Sequence, residues 1–155
     1  MSIAYQAALE VCKRHADRMA WAMSQLSNKF PLTADALGAL SNTELAVLDQ
    51  FSTRFAKLQD AMGAKLFPAV LELTKEPGQL TVFIDKLNRL EKLGAIESVD
   101  QWLKLREMRN EFSHDYPDDL ELQSATLNKA YKLASELLAV MRRIETFASN
   151  YVGAE

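Results

Sequence analysis

The sequence is poor in the residues that break or cross-link a chain. Its 155 residues include 5 glycines, 4 prolines and 1 cysteine. This composition excludes collagen-like and Gly- or Pro-rich architectures, and it cannot readily supply the many turns of a β-sandwich. The lone Cys12 cannot form an intramolecular disulfide, and the first residues lack the pattern of a secretory signal. We therefore expect a single α-helical domain over residues 1–155, located in the reducing cytoplasm.

Excess positive charge and long apolar runs are also lacking. The chain has 18 Lys and Arg against 21 Asp and Glu, a formal net charge of -3. A protein that coats nucleic acid by bulk electrostatics would be basic, so any contact with RNA must be local. The basic residues of segments 13–18 and 129–143 are interpreted as solvated faces, a subset of which could follow an RNA backbone. No apolar run approaches the roughly 20 residues of a membrane span, so we expect no membrane partner.

Apolar residues recur at intervals of three and four along most of the chain, which predicts about five helices. Ser41 to Glu44 and Ser98 to Gln101 match the capping box, Gly94 is placed to end a helix, and Pro68 predicts a kink or interruption. The connection over 29–40 has room for one short helical turn. Short connections favour an antiparallel helical bundle with a four-helix core. The predicted helices cover approximately residues 3–27, 41–75, 80–93, 98–114 and 119 onwards.

The fourth predicted helix carries the residues that are best suited to catalysis or ligand binding. On an ideal helix its large apolar residues share one side, and Arg106 and Arg109 fall within the same arc. A guanidinium on a core-facing surface is costly unless it is paired or reaches a polar cleft. We therefore expect a partner for Arg109. The apolar residues of this side are Trp102, Leu105, Met108 and Phe112.

Each polar residue near the end of this helix also has an ordinary structural interpretation. Arg109 could lie at the bundle edge with its head in water or paired with Glu107 or Asp115. His114 could cap a helix C-terminus, with Asn110 orienting its ring. Tyr116 could be a half-buried aromatic held by the proline that follows it. A purely structural bundle of this kind would pair Arg109 inside its own chain and leave no cleft beside it.

The string Arg109-Asn110-Glu111-Phe112-Ser113-His114-Asp115-Tyr116 resembles the signature of the HEPN superfamily, and it is especially similar to HepT-type toxins. Four positions match the family pattern: the arginine, the asparagine after it, the histidine and the tyrosine two residues later. The match covers eight residues on a late helix, and residues 1–97 contain nothing diagnostic of the family.

The resemblance implies a metal-independent endoribonuclease with its site at a homodimer interface and no cofactor. Arg109 would bind the scissile phosphate of the RNA substrate, His114 would transfer protons, and Asn110 and Arg106 would support them. A partner nucleotidyltransferase antitoxin would silence the toxin by transferring AMP to Tyr116. The alternative is a non-catalytic HEPN protein that presents a substrate or nucleotide to a nucleotidyltransferase.

The residue chemistry agrees with these roles. Arginine binds phosphate in a bidentate manner and keeps its charge, while histidine titrates near neutral pH and can serve as base or acid. Cleavage by the 2′-hydroxyl needs both, but the chain has only two histidines, and His15 lies on the stripe of the first helix. On a regular helix Arg109 and His114 diverge by roughly 140°. Two copies of His114 across a two-fold axis would supply the missing acid or base. A site shared by two chains, or a distorted helix end, would resolve the divergence.

Metal binding is a competing interpretation of the same region. His114, Asp115, Asp118 and Asp119 form an acidic and imidazole cluster around Pro117, and such a cluster offers ligands for a divalent cation. Asp118 or Asp119 has the simpler role of capping the last helix. We therefore expect no metal at this site.

Overall fold

A computed structural model of the chain describes residues 2–75, 78, 80–114 and 118–152. These residues form an all-α helical bundle, as the sequence predicts. The helices are α1 (Ile3–Leu26), α2 (Ala34–Gly38), α3 (Asn42–Ala61), a π-helical turn (Met62–Leu66), α4 (Phe67–Thr74), α5 (Phe83–Leu93), α6 (Val99–Glu111) and α7 (Leu120–Val152).

Local capping chemistry sets several of the helix ends. At the start of α3 the Ser41 hydroxyl accepts from the Glu44 amide, and the Glu44 carboxylate accepts from the Ser41 amide, which confirms the predicted capping box. Asp119 accepts the Leu122 amide and caps α7. Gly94 ends α5 with a φ of 85°, a left-handed conformation that glycine adopts without strain.

Pro68 does not end the second predicted helix. Its ring would clash with the carbonyl one turn earlier, and it has no amide to donate. The chain widens into the π-helical turn just before it, where the Phe67 amide bonds the Met62 carbonyl, and then continues as α4. The predicted interruption is thus a π turn within a helical stretch that runs from Asn42 to Thr74.

Four helices, α1, α3, α6 and α7, form a core in which neighbours run antiparallel. On α3, Phe55 contacts Phe112 while the later Asp60 contacts the earlier Arg109 of α6. The same reversal relates α6 to α7, where Gln101 bonds Glu136 and Glu111 bonds Lys129. It also relates α7 to α1 through the pairs Tyr131 with Met23 and Glu145 with Lys13. This up-and-down arrangement confirms the predicted four-helix core.

The first connection is anchored to the last helix by one side chain. The Asn128 amide on α7 donates to the Leu32 carbonyl at 2.8 Å, and its side-chain oxygen accepts the Leu32 amide at 2.7 Å. Nearby, Phe30 stacks on Tyr131 with ring centroids 4.0 Å apart. The segment between α1 and α2 is therefore held against α7 at a defined position. Within the described residues, no helix combines the length and apolar character of a membrane span.

We expect Asn128→Ala to lower the free energy of unfolding by about 1–3 kcal/mol, because it leaves the Leu32 amide and carbonyl without partners in a partly buried site. Urea denaturation measures this loss. Asn150→Ala, an exposed position on the same helix, is the matched control and should change stability by less than about 0.5 kcal/mol. Equal stability of Asn128→Ala and the control would contradict the anchoring role.

Candidate functional site

The residues of the Arg-to-His motif lie at the C-terminal end of α6. Ser98 caps the helix start by accepting the Gln101 amide. Leu105 and Met108 are fully buried, and Phe112 packs edge-on against Phe55 of α3 with centroids 5.4 Å apart. The apolar side predicted for this helix is thus confirmed, and it fixes the rotation of α6 against α3.

Arg109 leaves this apolar side toward α3 and forms a bidentate ion pair. Its Nε lies 2.8 Å from Oδ1 of Asp60, and its Nη2 lies 2.9 Å from Oδ2. The side chains are 32% and 51% exposed, so the pair sits at the edge of the bundle. Hydrogen bonding to Asp60, and then its charge, raise the pKa of Arg109, although partial burial opposes them. Arg109 has the partner that its position required.

The identity of that partner differs from the sequence expectation. The sequence favours Glu107 or Asp115, but Glu107 is about 200° around α6 from Arg109, and Asp115 lies outside the described residues. Asp60 is 49 positions away in the sequence and comes close only through the antiparallel packing of α3 on α6. Pairing of Arg109 inside its own chain is also what a purely structural bundle would show.

Arg106 is directed to a different helix. Its guanidinium carbon lies 5.7 Å from the centroid of the Phe83 ring at the start of α5, the distance of a cation–π contact. Arg109 instead pairs with α3. The two arginines of the predicted site therefore do not converge, and Arg106 stabilises the packing of α5 on α6.

Helix α6 ends before it reaches His114. Helix α6 stops at Glu111, and the chain turns through Phe112 and Ser113, whose hydroxyl bonds the Asn110 carbonyl at 2.6 Å. His114 is exposed and non-helical, with its amide bonded to the Glu111 carbonyl. The chain between Arg109 and His114 therefore has a distorted helix end, one of the two arrangements that the sequence left open for this pair.

Two sequence predictions depend on residues that the structure does not describe. Tyr116, the predicted AMP acceptor, lies outside the described residues, as does Asp115 of the candidate metal cluster. Of the remaining cluster residues, Asp119 accepts a backbone amide as the cap of α7. Within the described ranges no three His, Cys, Asp or Glu residues are grouped closely enough to bind a metal ion.

His15 and Cys12 lie on α1, away from the motif. The Arg54 Nη1 of α3 donates to His15 Nδ1 at 2.9 Å, which requires a neutral ring because a guanidinium only donates. Partial burial lowers the pKa of His15, as do the charges of Arg54, Lys57, Arg14 and Arg18. Burial raises the pKa of the Cys12 thiol to about 12, so it is not a nucleophile at neutral pH.

Several surface depressions lie on other faces of the bundle. Four of them, with volumes of about 360 to 450 Å³, are formed between α4 and α5, beside Gly94 and α7, between α1 and α4, and on α1 alone. None is lined by Arg109 or His114.

The lowered pKa of His15 makes stability dependent on pH. Below about pH 6.5 the unfolded chain takes up a proton on His15 that the folded chain resists. We expect the free energy of unfolding to fall as the pH drops through 6.5 toward the pKa of His15 in the folded chain. The slope should be at most about 1.4 kcal/mol per pH unit. Urea denaturation between pH 5 and 8 measures this slope. His15→Gln should flatten it, and equal slopes in both proteins would contradict the assignment.

Comparison with known proteins adds no family assignment. The chain matches no family model, no curated protein and no solved structure. Its likeness to HEPN proteins consequently rests on the motif at residues 109–116, of which residues 109–114 are described. A role for these residues has to be argued from their own geometry.

Proposed function

We propose that the chain is a HepT-like endoribonuclease that cleaves RNA without a metal ion, using Arg109 and His114 at a homodimer interface. The observation that carries the proposal is the Arg109 guanidinium, held by two bonds to Asp60 at the exposed end of α6. His114 follows directly after the helix, on non-helical backbone. The proposal combines this geometry with the motif resemblance.

Asp60 acts as a positioning residue for Arg109. It uses Nε and one donor of Nη2, and in the described part of the chain Nη1 makes no hydrogen bond. The end of the guanidinium fork thus keeps donors that suit the paired oxygens of a phosphate. A second negative group beside Asp60 is tolerated because both side chains are substantially solvated.

The chemical step needs one base and one acid. One His114 removes the proton of the ribose 2′-hydroxyl, the 2′-oxygen attacks phosphorus, and the bond from phosphorus to the 5′-oxygen breaks. A protonated His114 of a second copy gives its proton to the leaving 5′-oxygen, so that a 2′,3′-cyclic phosphate and a 5′-hydroxyl result. Arg109 stabilises the charge that develops on the phosphate oxygens. A two-fold interface supplies both imidazoles.

A nucleotidyltransferase partner would regulate this site through Tyr116. Transfer of AMP from ATP to the phenol oxygen, with release of pyrophosphate, places a phosphodiester two residues from His114. Its negative charge would compete for Arg109 with the phosphate of an RNA substrate. This part of the proposal follows from the motif resemblance.

A second candidate function is favoured by the same ion pair. Because Asp60 already neutralises Arg109, the chain could serve as a non-catalytic partner that presents a substrate or nucleotide to a nucleotidyltransferase. In that function Arg109 stabilises the packing of α6 on α3, and His114 is dispensable for any RNA cleavage.

We expect purified protein to cleave single-stranded RNA, and Arg109→Ala or His114→Ala to lower the cleavage rate about 100-fold or more, because each removes a group needed in the transition state. Mass spectrometry should identify cyclic phosphate ends. The rate per chain should rise with protein concentration as the dimer forms, which sedimentation measures in parallel.

Lys104→Ala, an exposed cation on the same helix, is the matched control and should cleave like the wild type. If the wild type does not cleave RNA, or if His114→Ala cleaves it equally fast, the proposed nuclease activity is contradicted. The non-catalytic function, in which the chain presents a substrate or nucleotide, would then remain. Cleavage at an unchanged rate per chain by a monomer would contradict the shared site.

Tyr116 has its own test. Incubation of the protein with ATP and a cognate nucleotidyltransferase should increase its intact mass by one AMP group and abolish RNA cleavage. Tyr116→Phe should stay unmodified and keep cleaving in the presence of the partner. An adduct that persists in Tyr116→Phe would move the modification to another residue.

A further inference from the structure

Four cations line the junction of α1 and α3, on a different flank of α3 from Asp60. Arg14 and Arg18 are one turn apart on α1, and Arg54 and Lys57 are one turn apart on α3. Three of them are exposed and Arg54 is partly buried against His15. We refer to these four residues as the basic seam.

Among the described residues, no residue of the basic seam forms an ion pair. The ion pairs there join Lys13 with Glu145, Lys29 with Glu44, Arg109 with Asp60 and Lys129 with Glu111, and none includes a seam residue. Arg54 is the clearest case, because its Nε is buried without a hydrogen-bond partner and its Nη1 donates to a neutral imidazole. A partly desolvated guanidinium without an anion is unfavourable, and a bound anion would relieve it.

An exposed aromatic ring continues the line of cations. Trp21 is 52% exposed, which is unusual for the largest apolar side chain. It follows Arg14 by seven residues and Arg18 by three, so the three side chains share one face of α1. Proteins that bind single-stranded nucleic acids combine cations with exposed aromatic rings, so that the phosphates contact the cations and a base stacks on the ring.

Carboxylates flank the seam on both sides. On α1, Glu10 and Asp17 lie beyond the arginines and line the same shallow depression as Arg14 and Arg18. On α3, Asp60 lies beyond Lys57. The positive surface is therefore narrow, and the chain as a whole carries a net charge of -3. A planar anionic membrane would meet the flanking carboxylates as well, whereas a single strand can follow the seam between them.

We propose that the basic seam and Trp21 form a binding surface for single-stranded RNA, separate from the motif at Arg109 and His114. The four cations bind successive phosphates without sequence preference, and Trp21 stacks on one base. The choice of RNA as the ligand rests on the proposed function, and the surface would hold the substrate strand while a distant phosphate is cleaved.

The test measures binding without cleavage. Fluorescence anisotropy with a labelled single-stranded RNA of about 12 nucleotides, a length within the reach of one such surface, is performed on the His114→Ala chain. Adding Arg14→Gln and Arg18→Gln should weaken binding about tenfold and reduce the slope of log K against log salt by about 1.4, the value for two phosphate contacts. Adding Trp21→Ala should weaken binding about tenfold and leave the salt slope unchanged, because stacking releases no counterions.

Arg142→Gln with Arg143→Gln is the matched control, since it removes two exposed cations from α7. It should bind like its parent. An equal loss of RNA affinity in the control would indicate that binding depends on overall charge, and it would overturn the proposed surface. Unchanged RNA affinity in the seam variants would also overturn it. Binding of phosphatidylserine vesicles that Trp21→Ala abolishes, with RNA binding unaffected, would assign the surface to a membrane and overturn it too. Urea denaturation confirms that each variant is folded.

The seam and the nuclease fail separately in these measurements. RNA binding that depends on the seam, together with no cleavage by the wild type, retains the surface and rejects the nuclease. Cleavage with an unchanged KM in the seam variants retains the nuclease and rejects the surface. As an independent readout, RNA binding should raise the pKa of His15 in the His114→Ala chain, where it is the remaining histidine, because phosphates offset the seam charges that lower it.

Discussion

The structure depends on the burial of one face of α3 between its neighbours. Phe51, Phe55 and Leu58 on this face are completely buried, and burying each such side chain contributes about 1.5–3 kcal/mol. The contacts of Phe51 with Phe30 and Tyr131, and of Phe55 with Phe112, leave α3 a single rotation about its axis. This rotation also determines which neighbouring helix each polar flank of α3 contacts.

Both candidate surfaces follow from this constraint. The flank that carries Arg54 meets α1, where His15 accepts its hydrogen bond. The flank that carries Asp60 meets α6, where Arg109 donates two. One arginine therefore has a carboxylate and the other has a neutral imidazole, although both lie at the edge of the same bundle. The charge of Arg109 is balanced by Asp60, whereas Arg54 forms no ion pair with the described residues. A bound anionic ligand would therefore stabilise Arg54 more than Arg109.

What could be predicted from the sequence is what local chemistry decides. The fold class, the capping box at Ser41 and the helix end at Gly94 each depend on residues within a few positions of one another. The effect of Pro68 was only partly predictable, because whether a helix breaks or widens into a π turn depends on the packing that holds the flanking turns in place. Helix α6 similarly ends at Glu111, before the predicted end at His114.

The partners of the functional residues could not be predicted, because they come from the register between helices. Asp60 and Arg109 are 49 positions apart, and Arg54 and His15 are 39 apart. Between the two flanks, Arg54, Lys57 and Asp60 follow one another at intervals of three, so they turn gradually from the α1 side of α3 toward the α6 side over about 9 Å of helix. Lys57 is exposed between them. Helix α3 therefore carries both the cations of the basic seam and the carboxylate that holds Arg109, and Asp60 separates the two sets of cations.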